Sequence, residues 1–226
     1  MIATTPERPD TVAPDAAIIA RIASRYRLQQ HRSYARGKLR WDPLFPAIAP
    51  LLADSSRGLL DVGCGFGIFG QYLRECGFRA RYCGVDLDEK KIAEARGASD
   101  GLDLEFVIGS ATSLPRFSGD VSMFDVLHYL SAEQQQIALA QAAACVPPGG
   151  LIIIRNVLRE PGWRFRATIL EERLLRALRW MRYPVTHYPE REEIEAPLRA
   201  AGFVTRVRPL WGRTPFNSYL FLARRE

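Results

Sequence analysis

The sequence predicts a doubly wound α/β domain, in which a mostly parallel sheet carries helices on both faces. Three observations predict this fold class. Short apolar segments alternate with helical patterns between residues 58 and 157, and such alternation is typical of right-handed crossovers in a parallel sheet. A glycine-rich loop follows the first apolar segment. The last two apolar segments are joined by a loop too short for a helical crossover, so the final strand should be antiparallel.

The first part of the chain is predicted to form a helical cap, or lid, in front of this sheet. Residues 1–14 are expected to be a flexible tail without the apolar run of a signal peptide. Apolar residues at helical spacing, from Ile18 to Tyr26, predict one basic amphipathic helix over 15–36. Prolines at 43, 46 and 50 then predict a turn and a short helix, which complete a cap over 15–57.

The cofactor-binding core is predicted over 58–157. Its expected strands are 59–62, 80–85, 104–108, 121–126 and 151–157, and its expected helices are 68–76, 89–96 and 132–145. Asp88 is placed to cap the second of these helices and Gly97 to end it. Ser131 and Gln134 have the spacing of a capping box for the third helix.

The pattern changes after the fifth strand. A long helix over 163–182, with an apolar stripe flanked by arginines, predicts a helical lid or acceptor-binding insertion over 158–188. The remaining residues, 189–226, should form a helix from Pro189 to Gly202 and two last strands at 204–210 and 218–223. Pro197 should bend or split that helix. All of these parts are expected to belong to one domain spanning 1–226.

Composition restricts the class of protein. The chain is 47% hydrophobic and 25% charged, as is usual for globular proteins, and no segment approaches the roughly 20 apolar residues of a membrane span. A cytoplasmic protein is expected. The four cysteines lack CxxC spacing, so free thiols are predicted and a structural zinc is not. The net charge of +6 is concentrated at 21–40 and 155–182, where solvated faces are favoured over an anionic partner.

The segment LLDVGCGFGIFG at 59–70 is the most informative part of the sequence. Glycines at 63, 65 and 67 let backbone N–H groups approach a ligand closely at the start of the next helix. Gly65, Gly67 and Gly70 also match the GxGxxG spacing of a dinucleotide site, with Asp86 about 20 residues further on. Taken alone, this pattern therefore predicts either a dinucleotide or S-adenosylmethionine.

Three features favour S-adenosylmethionine. Asp61 precedes the loop, where a carboxylate would repel a pyrophosphate but attract the ammonium group of a methionine moiety. The antiparallel final strand is not expected of a fully parallel dinucleotide fold, and a long helical segment precedes the first strand.

The chain resembles class I S-adenosylmethionine-dependent methyltransferases over residues 15–226. The resemblance lies in five segments: LLDVGCGFG at 59–67, YCGVDLDEKKIAEAR at 82–96, FVIGSATSLP at 106–115, FDVLHYL at 124–130 and VPPGGLIIIRN at 146–156. It implies a Rossmann-like, seven-stranded, mostly parallel sheet with an antiparallel last strand. It also implies that S-adenosyl-L-methionine binds across the carboxyl ends of the first strands, which is where ligands bind in open α/β sheets.

The resemblance implies a set of cofactor-binding residues, and no metal site is expected. Asp61 should hold the ammonium group directly or through water, Asp86 should accept both ribose hydroxyls, and Leu87 should lie against the adenine. Similar enzymes often carry an aspartate for the adenine amino group where this chain has Ser110. The full predicted set is Asp61, Gly63, Cys64, Gly65, Gly67, Asp86, Leu87, Ser110, Ala111 and Asp125.

Methyl transfer from a sulfonium requires alignment of the acceptor and exclusion of water. A general base becomes useful when the acceptor is a hydroxyl, and histidine is poised for this near neutral pH. His128, after the fourth strand, and His187, after the long helix, are the predicted catalytic residues. Orientation of its loop, or packing beside the cofactor, is the alternative role for His128.

The acceptor should bind to the segments that surround the core, namely 15–50, 158–188 and the loop around Arg213 and Asn217. Their aromatic and arginine residues favour O-methylation of a small aromatic, polyketide-like or carrier-tethered metabolite, which could be anionic. A nucleic-acid acceptor would fit the pI of about 9.4. However, the chain lacks, after strand four, the Asn-Pro-Pro-Tyr-like segment that amino-group methyltransferases for bases often carry. A non-catalytic cofactor-binding scaffold and docking of the helix 163–182 on anionic membrane are the remaining, less favoured alternatives.

Overall fold

A computed structural model describes residues 14–53, 55–177, 184–212 and 215–226, with the backbone alone for 171–177. The predicted tail before Pro14, the end of the predicted long helix at 178–182, and Arg213 lie outside the described residues. Within these ranges three helices precede the sheet: α1 (Ala16–Ser24), α2 (Gln29–Trp41) and α3 (Leu44–Leu52).

The remaining elements follow the predicted alternation of strands and helices. The strands are β1 (Leu59–Val62), β2 (Tyr82–Asp86), β3 (Glu105–Ile108), β4 (Asp120–Phe124), β5 (Leu151–Val157), β6 (Phe203–Pro209) and β7 (Ser218–Arg225). The helices are α4 (Ile68–Glu75), α5 (Glu89–Ala98), α6 (Ala132–Cys145), α7 (Trp163–Ala177) and α8 (Arg191–Ala200), and a short 3₁₀ helix lies at Leu127–Tyr129.

The strands form one sheet in the order β3-β2-β1-β4-β5-β7-β6. Strands β1 to β5 pair in parallel, and β7 runs antiparallel to both of its neighbours. The predicted seven-stranded sheet with an antiparallel last strand is therefore confirmed. The chain leaves β1 towards β2 on one side and later returns to β4 on the other, which opens a crevice at the carboxyl ends of β1 and β4.

Each face of the sheet has its own apolar core, because successive strand residues point to opposite faces. Leu59 packs on the face that carries the cap helices, α4 and α5. Leu60 packs on the other face, with α6 and α8. All four residues of β1 are buried, so the acid in this strand lies inside the sheet. The cap thus covers the same face as the helix that follows the glycine loop.

The single helix predicted over 15–36 is wrong. The chain turns between α1 and α2, and Tyr26 in this turn is buried with 1% of its surface exposed. Its hydroxyl donates a hydrogen bond to the carbonyl of Phe66 at 2.7 Å, and Arg32 Nε donates to the Tyr26 carbonyl at 2.7 Å. These contacts favour the turn because a continuous helix would not bring Tyr26 to the glycine loop.

Of the bend or split predicted at Pro197, the split does not occur, since α8 runs through this residue. Proline removes the N–H that would bond to the carbonyl four residues earlier, which belongs to Glu193. Gln136 on α6 donates its Nε2 to that carbonyl at 3.1 Å, so the acceptor left by Pro197 is satisfied and α8 continues to Ala200.

Several other predicted boundaries also differ from the structure, among them the ends of α5 and β4. Helix α5 passes through Gly97 and ends at Ala98, since Gly97 does not adopt the positive φ of a glycine that ends a helix. Strand β4 ends at Phe124, two residues early, because Asp125 adopts a left-handed conformation with φ of 58°. The predicted Asp88 cap and the Ser131–Gln134 capping box are both present.

Candidate cofactor and methyl-transfer site

The glycine loop at 63–67 joins β1 to α4 at the carboxyl edge of the sheet. Gly63 N and Cys64 N donate hydrogen bonds to the carbonyl of Val85 on β2, at 2.7 and 3.0 Å. Gly63 has φ of 77°, and a Cβ there would lie 2.3 Å from Val126 Cγ2, so the loop and the segment after β4 approach each other closely. The loop is thereby fixed against both neighbouring strands.

Gly65 is the open position of this loop. It has φ of 54°, and a Cβ built on it would meet no atom within 4 Å. Its N–H donates to Asp86 Oδ2 at 2.9 Å. The backbone of the loop is therefore held in place while one side of it faces open space, as a ligand cradle requires.

Asp61 lies beneath this loop and is almost completely buried, with 2% of its surface exposed. Its carboxylate accepts hydrogen bonds from Tyr82 Oη at 2.6 Å and Ser122 Oγ at 2.8 Å. Burial raises the pKa of Asp61 to about 6, against the lowering effect of these two hydrogen bonds. The two donors fix the carboxylate and leave each oxygen one further acceptor direction.

Asp86 ends β2 and is half-buried. One carboxylate oxygen accepts from Gly65 N and the other from Asp88 N at 2.9 Å. The next residue, Leu87, is 57% exposed, and Ile108 at the end of β3 is 51% exposed. Since Asp86 and Ile108 are register partners, two large apolar side chains lie exposed next to a polar anchor, an arrangement that suits a flat ring attached to a sugar.

Ser110 and Ala111 follow β3 at the same edge. Ser110 Oγ lies 2.8 Å from Thr112 Oγ1 and accepts from Thr112 N at 3.2 Å. Ala111 is buried with 7% exposure. These residues form a tight turn without a carboxylate, so a ring amino group would have to meet a hydroxyl or a backbone carbonyl here.

Asp125 is held by a group of charged residues that the sequence motifs did not indicate. Arg155 on β5 is 6% exposed and forms ion pairs with both Asp125 and Asp42. Lys38 completes the group with a 3.1 Å contact to Asp42. We call these four residues the Arg155 cluster.

The charges of the Arg155 cluster stabilise one another. Burial opposes ionisation of Asp42, but Arg155 and Lys38 outweigh it and lower the pKa of Asp42 to about 2. Burial likewise opposes the charge of Arg155, while Asp125 and Asp42 raise its pKa well above the ordinary value. Because Asp42 joins α2 to α3, the cluster ties the cap to the carboxyl ends of β4 and β5.

The cap also covers the glycine loop directly. The ring of His31 lies 4.6 Å from the ring of Phe66, and Tyr34 contacts the same ring edge-on. His31 Nδ1 lies 3.0 Å from Glu94 on α5. Together with the Tyr26 bond to Phe66, these contacts place the cap over the loop.

His128 lies in the 3₁₀ turn after β4 and is 7% exposed. Its Nδ1 is 3.1 Å from Asn156 Oδ1 on β5, and its ring stacks on Tyr188 with centroids 6.1 Å apart. The carbonyl of His128 accepts hydrogen bonds from Thr186 N at 2.9 Å and His187 N at 3.3 Å. Both predicted catalytic histidines are thus in one region.

His187 is arranged differently. Its Nε2 lies 3.2 Å from both carboxylate oxygens of Glu193 on α8, and its carbonyl accepts from Gln135 Nε2 at 2.9 Å. Because the Glu193 carboxylate can only accept, Nε2 of His187 must be the protonated, donating nitrogen, and the lone pair of the neutral ring lies on Nδ1.

Over the described ranges, no three His, Cys, Asp or Glu side chains are grouped so that they could hold a metal ion. All four cysteines are free thiols. No helix in the described part of the chain is long and apolar enough to cross a membrane.

The sheet order, the glycine loop after β1 and the acid at the end of β2 define a class I S-adenosylmethionine-dependent methyltransferase. The chain belongs to the methyltransferase-domain family, since the family model described as "Methyltransferase domain" matches residues 28–206. The chain is therefore an enzyme whose methyl donor is S-adenosylmethionine.

Known proteins similar to this chain include an O-methyltransferase. The ubiquinone biosynthesis O-methyltransferase of Bordetella avium is 30% identical over 215 residues, which cover 82% of this chain and 88% of that protein. The ribosomal protein L11 methyltransferase of Burkholderia ambifaria is 28% identical over 102 residues, only 45% of this chain and 32% of that protein.

Among solved structures, magnesium protoporphyrin IX methyltransferase from Synechocystis, with bound S-adenosylhomocysteine, superposes with a TM-score of 0.65. It is 19% identical and covers 88% of each chain. This similarity confirms the fold.

Proposed function

We propose that this chain transfers the methyl group of S-adenosylmethionine to a hydroxyl group of a small aromatic, polyketide-like or carrier-tethered acceptor, with His128 as general base. The observation that carries the proposal is the buried contact between His128 and Asn156 at the carboxyl edge of β4 and β5. The similarity to a ubiquinone biosynthesis O-methyltransferase, which extends over most of both chains, supports the oxygen acceptor.

The residues at the sheet edge fit the cofactor. Asp61 supplies a fixed carboxylate for an ammonium group, and Asp86 has acceptor oxygens for ribose hydroxyls. Leu87 and Ile108 provide exposed apolar surface for the adenine, next to Ser110 and Ala111. Gly63, Cys64, Gly65 and Gly67 form the cradle, with its open side at Gly65. We place Asp125 at the same edge, where Arg155 orients its carboxylate.

The methyl donor and the protein supply different parts of the reaction. The bound cofactor supplies an activated methyl group on a sulfonium. His128 takes the proton from the acceptor hydroxyl as the oxygen attacks, which contributes about 10²- to 10⁴-fold in rate. The cap and the segment 184–190 exclude water and align the acceptor. We assign His187 a supporting role, because its Nε2 already faces Glu193.

Substitution of the two histidines tests the proposal. We expect His128→Gln to lower kcat at least 100-fold without changing cofactor affinity, and His187→Gln to change kcat less than about fivefold. Release of S-adenosylhomocysteine would be measured with phenolic, carrier-tethered and nucleic-acid acceptors. Full activity of His128→Gln would refute its role as base, and release with nucleic acid alone would refute the acceptor class.

Calorimetry tests the cofactor site separately. Asp86→Ala should weaken S-adenosylhomocysteine binding, because it removes the ribose acceptor and the support of Gly65 N. Asp100→Ala is the matched control, since Asp100 is an exposed aspartate in the turn after α5. Equal affinity of both variants would contradict the assignment of Asp86.

A further inference from the structure

Resting on the proposed function, we propose that Asn156 is a positioning residue that fixes the ring orientation and the tautomer of His128. Asn156 lies on β5, opposite Tyr219 of β7, and none of its surface is exposed. Its location on an inner strand of the sheet makes it a rigid support for the side chain of His128.

The amide of Asn156 has a defined direction. Its Nδ2 donates a hydrogen bond to the carbonyl of Val157 at 2.8 Å, and a carbonyl oxygen can only accept. The amide group therefore cannot be reversed without placing two acceptors against each other. Its Oδ1 must be the atom that faces His128.

This direction determines the protonation of the imidazole. Because Asn156 Oδ1 is an acceptor, His128 Nδ1 must donate to it across the 3.1 Å contact. In the neutral ring the lone pair then resides on Nε2. A general base needs such a lone pair on the nitrogen that does not face Asn156, and the opposite tautomer would place the lone pair of Nδ1 against Asn156 Oδ1.

The surroundings of the ring preserve this geometry. Tyr188 stacks on one side, and the Tyr129 ring centroid lies 4.2 Å away. Gln135 is 1% exposed and donates from Nε2 to the carbonyls of Leu127 and His187, at 2.8 and 2.9 Å. The turn that carries His128 is consequently held at its backbone as well as at its ring.

Asn156 also differs in charge from the aspartate that could occupy its place. A carboxylate would accept the same proton but would also stabilise the imidazolium form. The neutral amide selects the tautomer without favouring the charged ring. Replacement by aspartate therefore separates the effect of charge from that of the hydrogen bond.

Two variants and one control test the inference. Asn156→Leu removes the acceptor, and we expect kcat to fall about 10-fold or more while cofactor affinity is retained. Asn156→Asp keeps an acceptor, and the acidic limb of its kcat–pH profile should move upward by about one pH unit or more. Gln136→Leu removes a side-chain amide outside the site, which donates to the carbonyl of Glu193 at 3.1 Å, and should leave that limb where it is in the wild type.

Nitrogen NMR of the imidazole gives a readout that does not depend on catalysis. In the wild-type chain the His128 ring should be protonated at Nδ1, and in Asn156→Leu the Nε2–H form should be populated. A wild-type ring protonated at Nε2, or an unmoved pH limb in Asn156→Asp, would overturn the inference. Loss of the base role alone, seen as an active His128→Gln, would leave the NMR result intact, so the two proposals can fail separately.

Discussion

The burial of Asp61 predicts that cofactor affinity and protein stability depend on pH in opposite directions. We expect only the ionised carboxylate to attract the ammonium group of the cofactor. With a pKa of about 6, roughly nine-tenths of Asp61 is ionised at pH 7 and roughly one-tenth at pH 5. Affinity should therefore fall about tenfold between these values.

The stability of the folded protein should instead fall as the pH rises. The pKa of Asp61 in the folded chain lies above its ordinary value of 3.8, so the folded state holds this proton more tightly than the unfolded state does. The stabilisation that this tightly held proton gives the folded state is complete below pH 4 and amounts to about 3 kcal/mol. It is lost as the pH rises through 6. Asp61→Asn removes the titration and should raise stability at pH 7 while weakening cofactor binding about 10- to 100-fold.

Calorimetry with S-adenosylhomocysteine at pH 5 to 8, together with urea unfolding of the free protein, measures both effects. Asp120→Asn is the matched control, because Asp120 is also a buried carboxylate but lies at the amino end of β4, away from the edge that carries the glycine loop. There it accepts hydrogen bonds from Arg57 and Leu151 N. It should lower stability and leave the pH dependence of affinity unchanged. The reasoning is refuted if Asp61→Asn binds with the wild-type pH profile.

Two further predictions concern the glycine loop and the cap. Gly65→Ala should lower the free energy of unfolding by about 1–2 kcal/mol, because Gly65 has a left-handed backbone conformation. The added methyl group meets no protein atom within 4 Å and should instead obstruct the cofactor. A calorimetric affinity equal to that of the wild type would contradict the open cradle. Asp42→Asn should destabilise the chain by about 3–5 kcal/mol at pH 7, since it leaves Arg155 partly uncompensated. The contribution of the ionised Asp42 to stability is present above its ordinary pKa of 3.8 and is lost as the pH falls through 2. Urea unfolding measures this contribution. An unchanged unfolding midpoint in Asp42→Asn would exclude it.

Local patterns allowed most of the fold to be predicted. The strand–glycine–helix segment at 59–70, the Asp88 cap and the Ser131 capping box depend on residues close together in the chain, and each has the predicted form. The errors arose from contacts between distant residues. Tyr26 leaves its helix to bind Phe66, and Gln136 supports the helix around Pro197, which no local pattern reveals.

The candidate site was predictable to the same extent. The motif-bearing residues, such as Asp61, Asp86 and His128, were found, and their assigned roles remain predictions. Arg155 and Asn156 were missed because each looks like an ordinary strand residue, and their partners are separated from them by 28 to 113 positions. The one signal in the sequence that could have indicated them is that an arginine and an asparagine stand near the end of an otherwise apolar predicted strand.

These two neighbours on β5 act on opposite faces of the sheet. Successive strand residues alternate in direction, so Arg155 points to the cap face, where it binds Asp42 and Asp125, while Asn156 points to the α6 face, where it binds His128. The segment between Asp125 and His128 is thus held at both ends by one strand. Because the two contacts lie on separate faces and share no side-chain partner, each can be removed while the other is kept. Loss of Asp42 should therefore loosen the cap without changing the tautomer of His128, and loss of Asn156 should change the tautomer without loosening the cap.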